Sequence, residues 1–163
     1  MDQRVVIMAG SESDRSHIEK IIESLKYFEI PFEVRICSAH KNPDTLLEII
    51  RGYNALSAAI VFVAVAGGSD ALSGTLSFHA LHPVISCPPD TPNESCLTNP
   101  PGSANAYIAN TRNVGKFAAQ AFAHLNPRYR KLLEQHNREK VMSLEKSDKE
   151  FRKRYTGGNS WEV

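Results

Sequence analysis

The sequence predicts an α/β fold in which a parallel sheet is covered on both faces by helices. Three observations carry the prediction. Val5–Ala9 and Ala59–Ala66 are apolar at consecutive positions, as expected of strands buried on both faces of a parallel sheet. Both runs break into small polar residues, Gly10 to Asp14 and Gly67 to Asp70, just before segments with helical spacing. Strand and helix then alternate along the chain, which is the pattern of right-handed crossovers.

Each element follows from local chemistry. After the first strand, a helix starts near Ser13 or Asp14. Ile18, Ile21, Ile22, Leu25 and Phe28 form its apolar stripe, and Pro31 follows its end. Phe32–Cys37 is the second strand. Residues 38–42 form a loop in which Asn42 reads as N-cap and Pro43 as first helical residue. The second helix carries Leu46, Leu47, Ile50 and Tyr53, and the third strand is Ala59–Ala66. A further helix follows residue 70, and Val84–Cys87 is the fourth strand. Pro88, Pro89, Pro92, Pro100 and Pro101 make 88–102 a long irregular loop, a candidate lid or subunit contact. Ala106–Ala109 is a short fifth strand. Asn113–Leu125 is helical, with Val114, Phe117, Ala118, Ala121 and Phe122 on one face, and Pro127 opens a last helix. Along 128–155 the apolar line (Tyr129, Leu132, Leu133, Val141, Leu144, Phe151) is thin and suits a helix lying across a neighbour.

Five strands in this sequence of elements predict a flavodoxin-like three-layer αβα sandwich with a five-stranded parallel sheet of order 2-1-3-4-5. Residues 1–126 are expected to form the main domain and 127–163 a C-terminal helical extension. In that order the loops after strands 1, 2 and 3 meet at the carboxyl edge of the sheet, where open α/β sheets bind ligands.

The 163 residues carry 19 basic and 18 acidic side chains, a net charge of +1. Bulk charge therefore gives no general drive toward nucleic acid or a membrane surface, and neither partner is expected. Basic residues gather between Arg128 and Arg154, but Glu134, Glu139, Glu145, Asp148 and Glu150 are interleaved with them, as on a solvated or intersubunit helix face. The start, Met-Asp-Gln-Arg-Val, leads into no long apolar stretch, so neither signal peptide nor transmembrane helix is expected and the location is cytoplasmic. Three cysteines without CxxC spacing disfavour a disulfide framework and a zinc site. Cys37 and Cys87 end apolar runs and read as packing residues. Cys96, in the long loop, is a candidate nucleophile.

The three loops hold the residues with chemical potential. Gly10 and Ser11 stand at the end of the first strand, where a helix N-terminus favours a phosphate. Ser11 and Ser69 offer hydroxyls to phosphate oxygens, and Gly67–Gly68 permits close backbone approach. Asp14 serves either the helix dipole or the hydroxyls of a ribose. His40 lies in a loop and not on an apolar face. As a neutral imidazole it can take a proton from carbon or oxygen near pH 7. Lys41 offers a point charge to phosphate or carboxylate. His17, His79, His82, His124 and His136 show no metal-type pairing.

Met-Ala-Gly-Ser-Glu-Ser-Asp at 8–14, Ser-Ala-His-Lys-Asn-Pro-Asp at 38–44, Ala-Val-Ala-Gly-Gly-Ser-Asp at 64–70 and Pro-Val-Ile-Ser-Cys-Pro-Pro at 83–89 resemble, in order and spacing, the phosphoribosylaminoimidazole carboxylase catalytic-subunit family of purine biosynthesis. The likeness covers about residues 4 to 125. It implies a ligand, 5-aminoimidazole ribonucleotide, and a reaction that places a carboxylate on ring carbon 4 without biotin, ATP or metal, so no cofactor and no metal ligand are expected. The bacterial mutase class moves a carboxyl group from the exocyclic nitrogen and shows Ser-Ala-His-Arg and a second histidine in the third loop. This chain has Lys41 in place of the arginine, Ala71 in place of that histidine and Ser73 where that class has proline. These departures resemble the class typical of animals, which uses carbon dioxide directly.

By motif, the resemblance assigns phosphate or ribose contacts to Gly10, Ser11 and Asp14. It assigns the ribonucleotide and carboxylate side to Ser38 and Lys41, phosphate to Gly68 and Ser69, and proton transfer to His40. Ala66, Gly67 and Ala71 would wall a dry carbon dioxide pocket. The family forms homo-octamers, so a homo-oligomer is implied. The rivals are the mutase reaction on the same scaffold, an FMN-binding flavodoxin-like electron carrier, and a non-catalytic ribonucleotide-binding module. No aromatic residue stands in 67–74 to stack on a flavin.

Overall fold

A computed structural model describes residues 1–157; the end of the 127–163 extension, 158–163, lies outside the described residues. The strands β1 (Asp2–Ala9), β2 (Phe32–Ile36), β3 (Ala58–Val65), β4 (Val84–Ser86) and β5 (Ala106–Tyr107) form one parallel sheet of order β2-β1-β3-β4-β5. The helices are α1 (Arg15–Tyr27), α2 (Pro43–Asn54), α3 (Ala71–His79), α4 (Glu94–Leu97), α5 (Val114–Phe122) and α6 (Pro127–Tyr155). The flavodoxin-like three-layer sandwich expected from the sequence is present.

The continuous apolar runs work because successive residues of a strand face opposite layers. Val5, Ile7 and Ala9 of β1, with Val61, Val63 and Val65 of β3, pack beneath α1 and α5. Val6 and Met8, with Ile60, Phe62 and Ala64, pack beneath α2 and α3. Every one of these side chains is buried, each contributing roughly 1.5–3 kcal/mol for a residue of Val, Ile, Met or Phe size. The first strand begins three residues before the apolar run because Asp2 to Arg4 keep pairing with Ala58 to Ile60.

Two expectations need correction. Residues 88–102 are not wholly irregular. One turn of helix, α4, forms where the Asn93 side-chain oxygen accepts from Ser95 N–H at 3.0 Å. That turn carries Cys96 into the interior, where it is 2% exposed, so Cys96 is no loop nucleophile. Burial pushes its thiol up, with the nearby Asp70 carboxylate adding to the effect, and a thiol so held resists becoming the reactive thiolate. Cys37 and Cys87 are buried as expected.

In α6 the only buried residue is Tyr129, with Leu132 and Leu133 packed against the α1/α5 side of the core. Tyr27 donates to Glu139 at 2.7 Å and Lys116 to Asn137 at 2.8 Å, which fastens the middle of the helix to the body. From Asn137 on, every described residue is exposed, including Val141, Leu144 and Phe151.

Candidate active site at the carboxyl edge of the sheet

Because β1 lies between β2 and β3, the loops that leave these three strands are neighbours at one edge. They enclose a cleft of about 300 Å³. The first loop contributes Gly10, Ser11, Ser13 and Asp14, and the second Ser38, Ala39 and His40. The third contributes Ala66, Gly67 and Ser69, with Ala71 and Leu72 from the start of α3. A larger cavity of about 630 Å³ lies between α1 and α6. It is away from the sheet edge and mixes Lys20, Arg112 and Lys140 with Glu23 and Glu139, so the chemistry favours the smaller cleft.

The first loop leaves β1 with Gly10 N–H still donating to Val65 O at 3.0 Å, which ties it to the third strand. Ser11 Oγ accepts from Ser13 N–H at 3.2 Å and lies 2.9 Å from Ser13 Oγ, capping a 3-10 turn over Glu12–Asp14 ahead of α1. The second loop is a closed turn. Asn42 N–H donates to Ser38 O at 3.0 Å, Ser38 N–H to the Asn42 side-chain oxygen at 2.9 Å, and Lys41 N–H to Ser38 Oγ at 3.3 Å. Asn42 stands at the N-cap position of α2 but makes no side-chain cap bond there, because its oxygen serves the loop. His40 is thereby held at the cleft with its ring exposed.

In the third loop Asp70, 6% exposed, caps α3 by accepting from Ser73 N–H at 2.8 Å. Gly68 takes a left-handed backbone, φ +65°, which a glycine adopts without strain. Its N–H donates to Asp90 Oδ2 at 2.8 Å, and its carbonyl accepts from Asn93 Nδ2 at 3.0 Å and Ser95 Oγ at 3.2 Å. The Asn93 amide, then the Gly68 N–H, hold the Asp90 carboxyl below the usual carboxylate range.

Of the residues singled out from the sequence, Gly10, Ser11, Asp14, Ser38, His40, Ser69 and Ala71 line one cleft, as do Ala66 and Gly67. Lys41 and Gly68 do not line it; Lys41 is exposed one residue along from His40, and the Gly68 N–H is committed to Asp90. Sequence reasoning missed Ser13, Ala39 and Leu72, although Ser13 and Ala39 stand inside the loop motifs. It also missed Asp90 and Asn93, whose link to Gly68 has no local signal. His17 is structural: its Nε2 sits 3.0 Å from Cys87 O.

The walls are small residues and the polar groups are hydroxyls, one carboxylate and one imidazole. Such a cleft suits a small polar molecule with hydrogen-bonding oxygens, positioned beside a proton acceptor.

The AIR carboxylase family model matches residues 4–143. The chain is 39% identical over 155 residues to the human bifunctional phosphoribosylaminoimidazole carboxylase/phosphoribosylaminoimidazole succinocarboxamide synthetase, a match covering 91% of this chain and 36% of that protein. The chain thus spans about a third of that relative's length. With the phosphoribosylaminoimidazole carboxylase of Treponema denticola it shares 34% identity over 125 residues, 73% of this chain and 79% of that one. The crystal structure of Treponema denticola PurE2-S38D superposes with a TM-score of 0.89 at 28% identity, covering 93% of this chain and 99% of that one. The match runs through all three cleft loops and into α6, over an architecture shared nearly end to end, and the chain belongs to the AIR carboxylase family.

Proposed function

We propose that this chain is the carboxylase of purine biosynthesis that joins carbon dioxide to carbon 4 of 5-aminoimidazole ribonucleotide. The observation that carries the reading is that His40, the Ser11 and Ser69 turns and Asp14 share one cleft with a wall of Ala66, Gly67 and Ala71. Carbon 4 of an aminoimidazole is an enamine carbon and already nucleophilic. Held against carbon dioxide, it forms the carbon–carbon bond with no further activation. The tetrahedral carbon then loses its proton to the His40 imidazole, the ring electrons return to the heterocycle, and the imidazolium releases the proton to solvent. Ser11, Ser13, Ser38 and Ser69 supply hydrogen bonds to phosphate and ribose oxygens, and Asp14 accepts from ribose hydroxyls. Gly68 shapes its turn, and Lys41, exposed one residue along from His40 and outside the cleft lining, offers its charge to the carboxylate side of the ligand. Small walls exclude water from a substrate that offers little to grip.

Lys41, Ala71 and Ser73 support direct use of carbon dioxide over the mutase reaction, by their likeness to the animal-type class. Initial rates of purified protein with 5-aminoimidazole ribonucleotide plus bicarbonate, against the N-carboxylated ribonucleotide, test this. Turnover of only the latter reverses the assignment. His40→Asn lowers turnover by at least about a hundredfold while ribonucleotide binding persists; retained turnover removes His40 from the mechanism. The exposed apolar line of α6 supports a homo-oligomer, an octamer by the family resemblance. Sedimentation velocity reads the subunit number. Among the described residues no helix is long and apolar enough to cross a membrane.

A further inference from the structure

The turn 67–69 supplies two cleft residues, Gly67 and Ser69, on either side of a glycine that does not line the cleft. Nothing packs where a Gly68 side chain would stand, so packing at that residue does not hold the turn. Hydrogen bonds from the segment after β4 do. Asp90 takes the Gly68 N–H on one oxygen and an Asn93 Nδ2 proton on the other, at 2.8 and 3.0 Å. Asn93, 3% exposed, makes three hydrogen bonds here: one Nδ2 proton goes to Asp90, the other to Gly68 O, and its oxygen accepts from Ser95 N–H. The same segment lies against the back of the turn, since a Cβ on Gly67 would meet Asp90 Oδ1 at 3.2 Å and Pro89 Cγ at 3.3 Å. Its far end is rooted in the sheet: Asn99 donates to Asn105 at 2.8 Å, and Asn105 donates to the buried Ser86 of β4 at 2.8 Å.

We propose that Asp90 and Asn93 are positioning residues for the carboxylation proposed above, on which this inference rests: they preset the 67–69 turn and make segment 88–105 a brace of the cleft. The acceptor count makes Asp90 irreplaceable by its isostere. Both of its oxygens receive an N–H, whereas an amide presents one oxygen and one NH₂ group. In Asp90→Asn the NH₂ faces either the Gly68 N–H or the Asn93 NH₂, donor against donor. Asp90 is exposed, so the variant keeps the core intact.

The test compares wild type, Asp90→Asn and Asn93→Ala by carboxylation kinetics with 5-aminoimidazole ribonucleotide and bicarbonate, by hydrogen exchange of the peptide spanning 65–71, and by thermal midpoint. In Asp90→Asn the expected result is a kcat/KM loss of about tenfold to a hundredfold, exchange faster by about tenfold, and little change in midpoint. Asn93→Ala moves kinetics and exchange in the same direction. Unchanged exchange overturns the brace, and faster exchange with unchanged kinetics overturns the positioning role. A wild type that does not carboxylate this ribonucleotide defeats the proposed function instead, and the exchange rates then decide the brace alone.

Discussion

The side-chain oxygen of Asn42 lies 2.9 Å from the backbone N–H of Ser38, so the residue at the mouth of α2 closes the His40 turn. The His40 imidazole therefore hangs from a loop fastened at both ends: Cys37 N–H still donates to Ala9 O at 2.8 Å, and Leu46 N–H donates to Asn42 O at 3.2 Å. Asn42→Ala leaves the Ser38 N–H without its partner, at a cost of about 1 kcal/mol. We expect kcat to fall more than KM rises, because the imidazole loses its aim before the ligand loses its oxygens. Asn42→Asp restores the acceptor and most of the rate. Steady-state kinetics of the three proteins check this, and an unaltered kcat in the alanine variant would contradict it.

Gly115 is the point where α5 meets α1. A Cβ there would stand 2.1 Å from Ser24 O and 2.5 Å from Ser24 C, backbone atoms that cannot swing aside. Ser24 Oγ accepts from Gly115 N–H at 3.0 Å and donates to Ile21 O at 2.7 Å, which holds the two helices in register. Gly115→Ala is expected to cost about 3 kcal/mol, the upper part of the usual overpacking range. Urea unfolding measures it; a loss below about 1 kcal/mol would mean that α5 shifts freely.

The Cys87 thiol is fully buried, and burial, with Cys96 nearby, pushes its pKa up to about 12. Burial likewise raises Cys37 and Cys96. A reagent that needs thiolate should leave all three untouched in the native protein near pH 8 and modify all three after unfolding. Rapid native labelling followed by peptide mapping to Cys96 would return that residue to the list of nucleophiles.

His136 sits on α6 with its ring centroid 5.2 Å from those of Tyr27 and Phe28 on α1. Burial first, then Lys116 on α5 and Lys140 on α6, hold its pKa below the usual 6.5, against a smaller opposing pull from Glu139. Lys20, Glu23 and Arg112 line the same cavity. The unfolded chain binds the proton more readily, so the stability present above about pH 6.5 is lost as pH falls through 6.5 toward the folded value. His136→Leu should shrink the difference between urea midpoints measured near pH 8 and pH 5.5; an equal difference in both proteins refutes the link.

What could be read from the chain alone was whatever depends on neighbours in sequence. Val5–Ala9 and Ala59–Ala66 declare buried parallel strands because burial on both faces demands apolar side chains at every position. The strand–helix alternation then leaves few topologies, which put the loops with Ser11, His40 and Ser69 on one edge. Tertiary structure decided which hydrogen-bond donors and acceptors remain free. Asn42 has one side-chain oxygen and gives it to Ser38; Gly68 has one N–H and gives it to Asp90, 22 residues away. Cys96 is buried by a helical turn that a proline-rich stretch does not announce. A polar group's partner is settled by distance and direction in the folded chain, and sequence spacing encodes neither beyond a few residues.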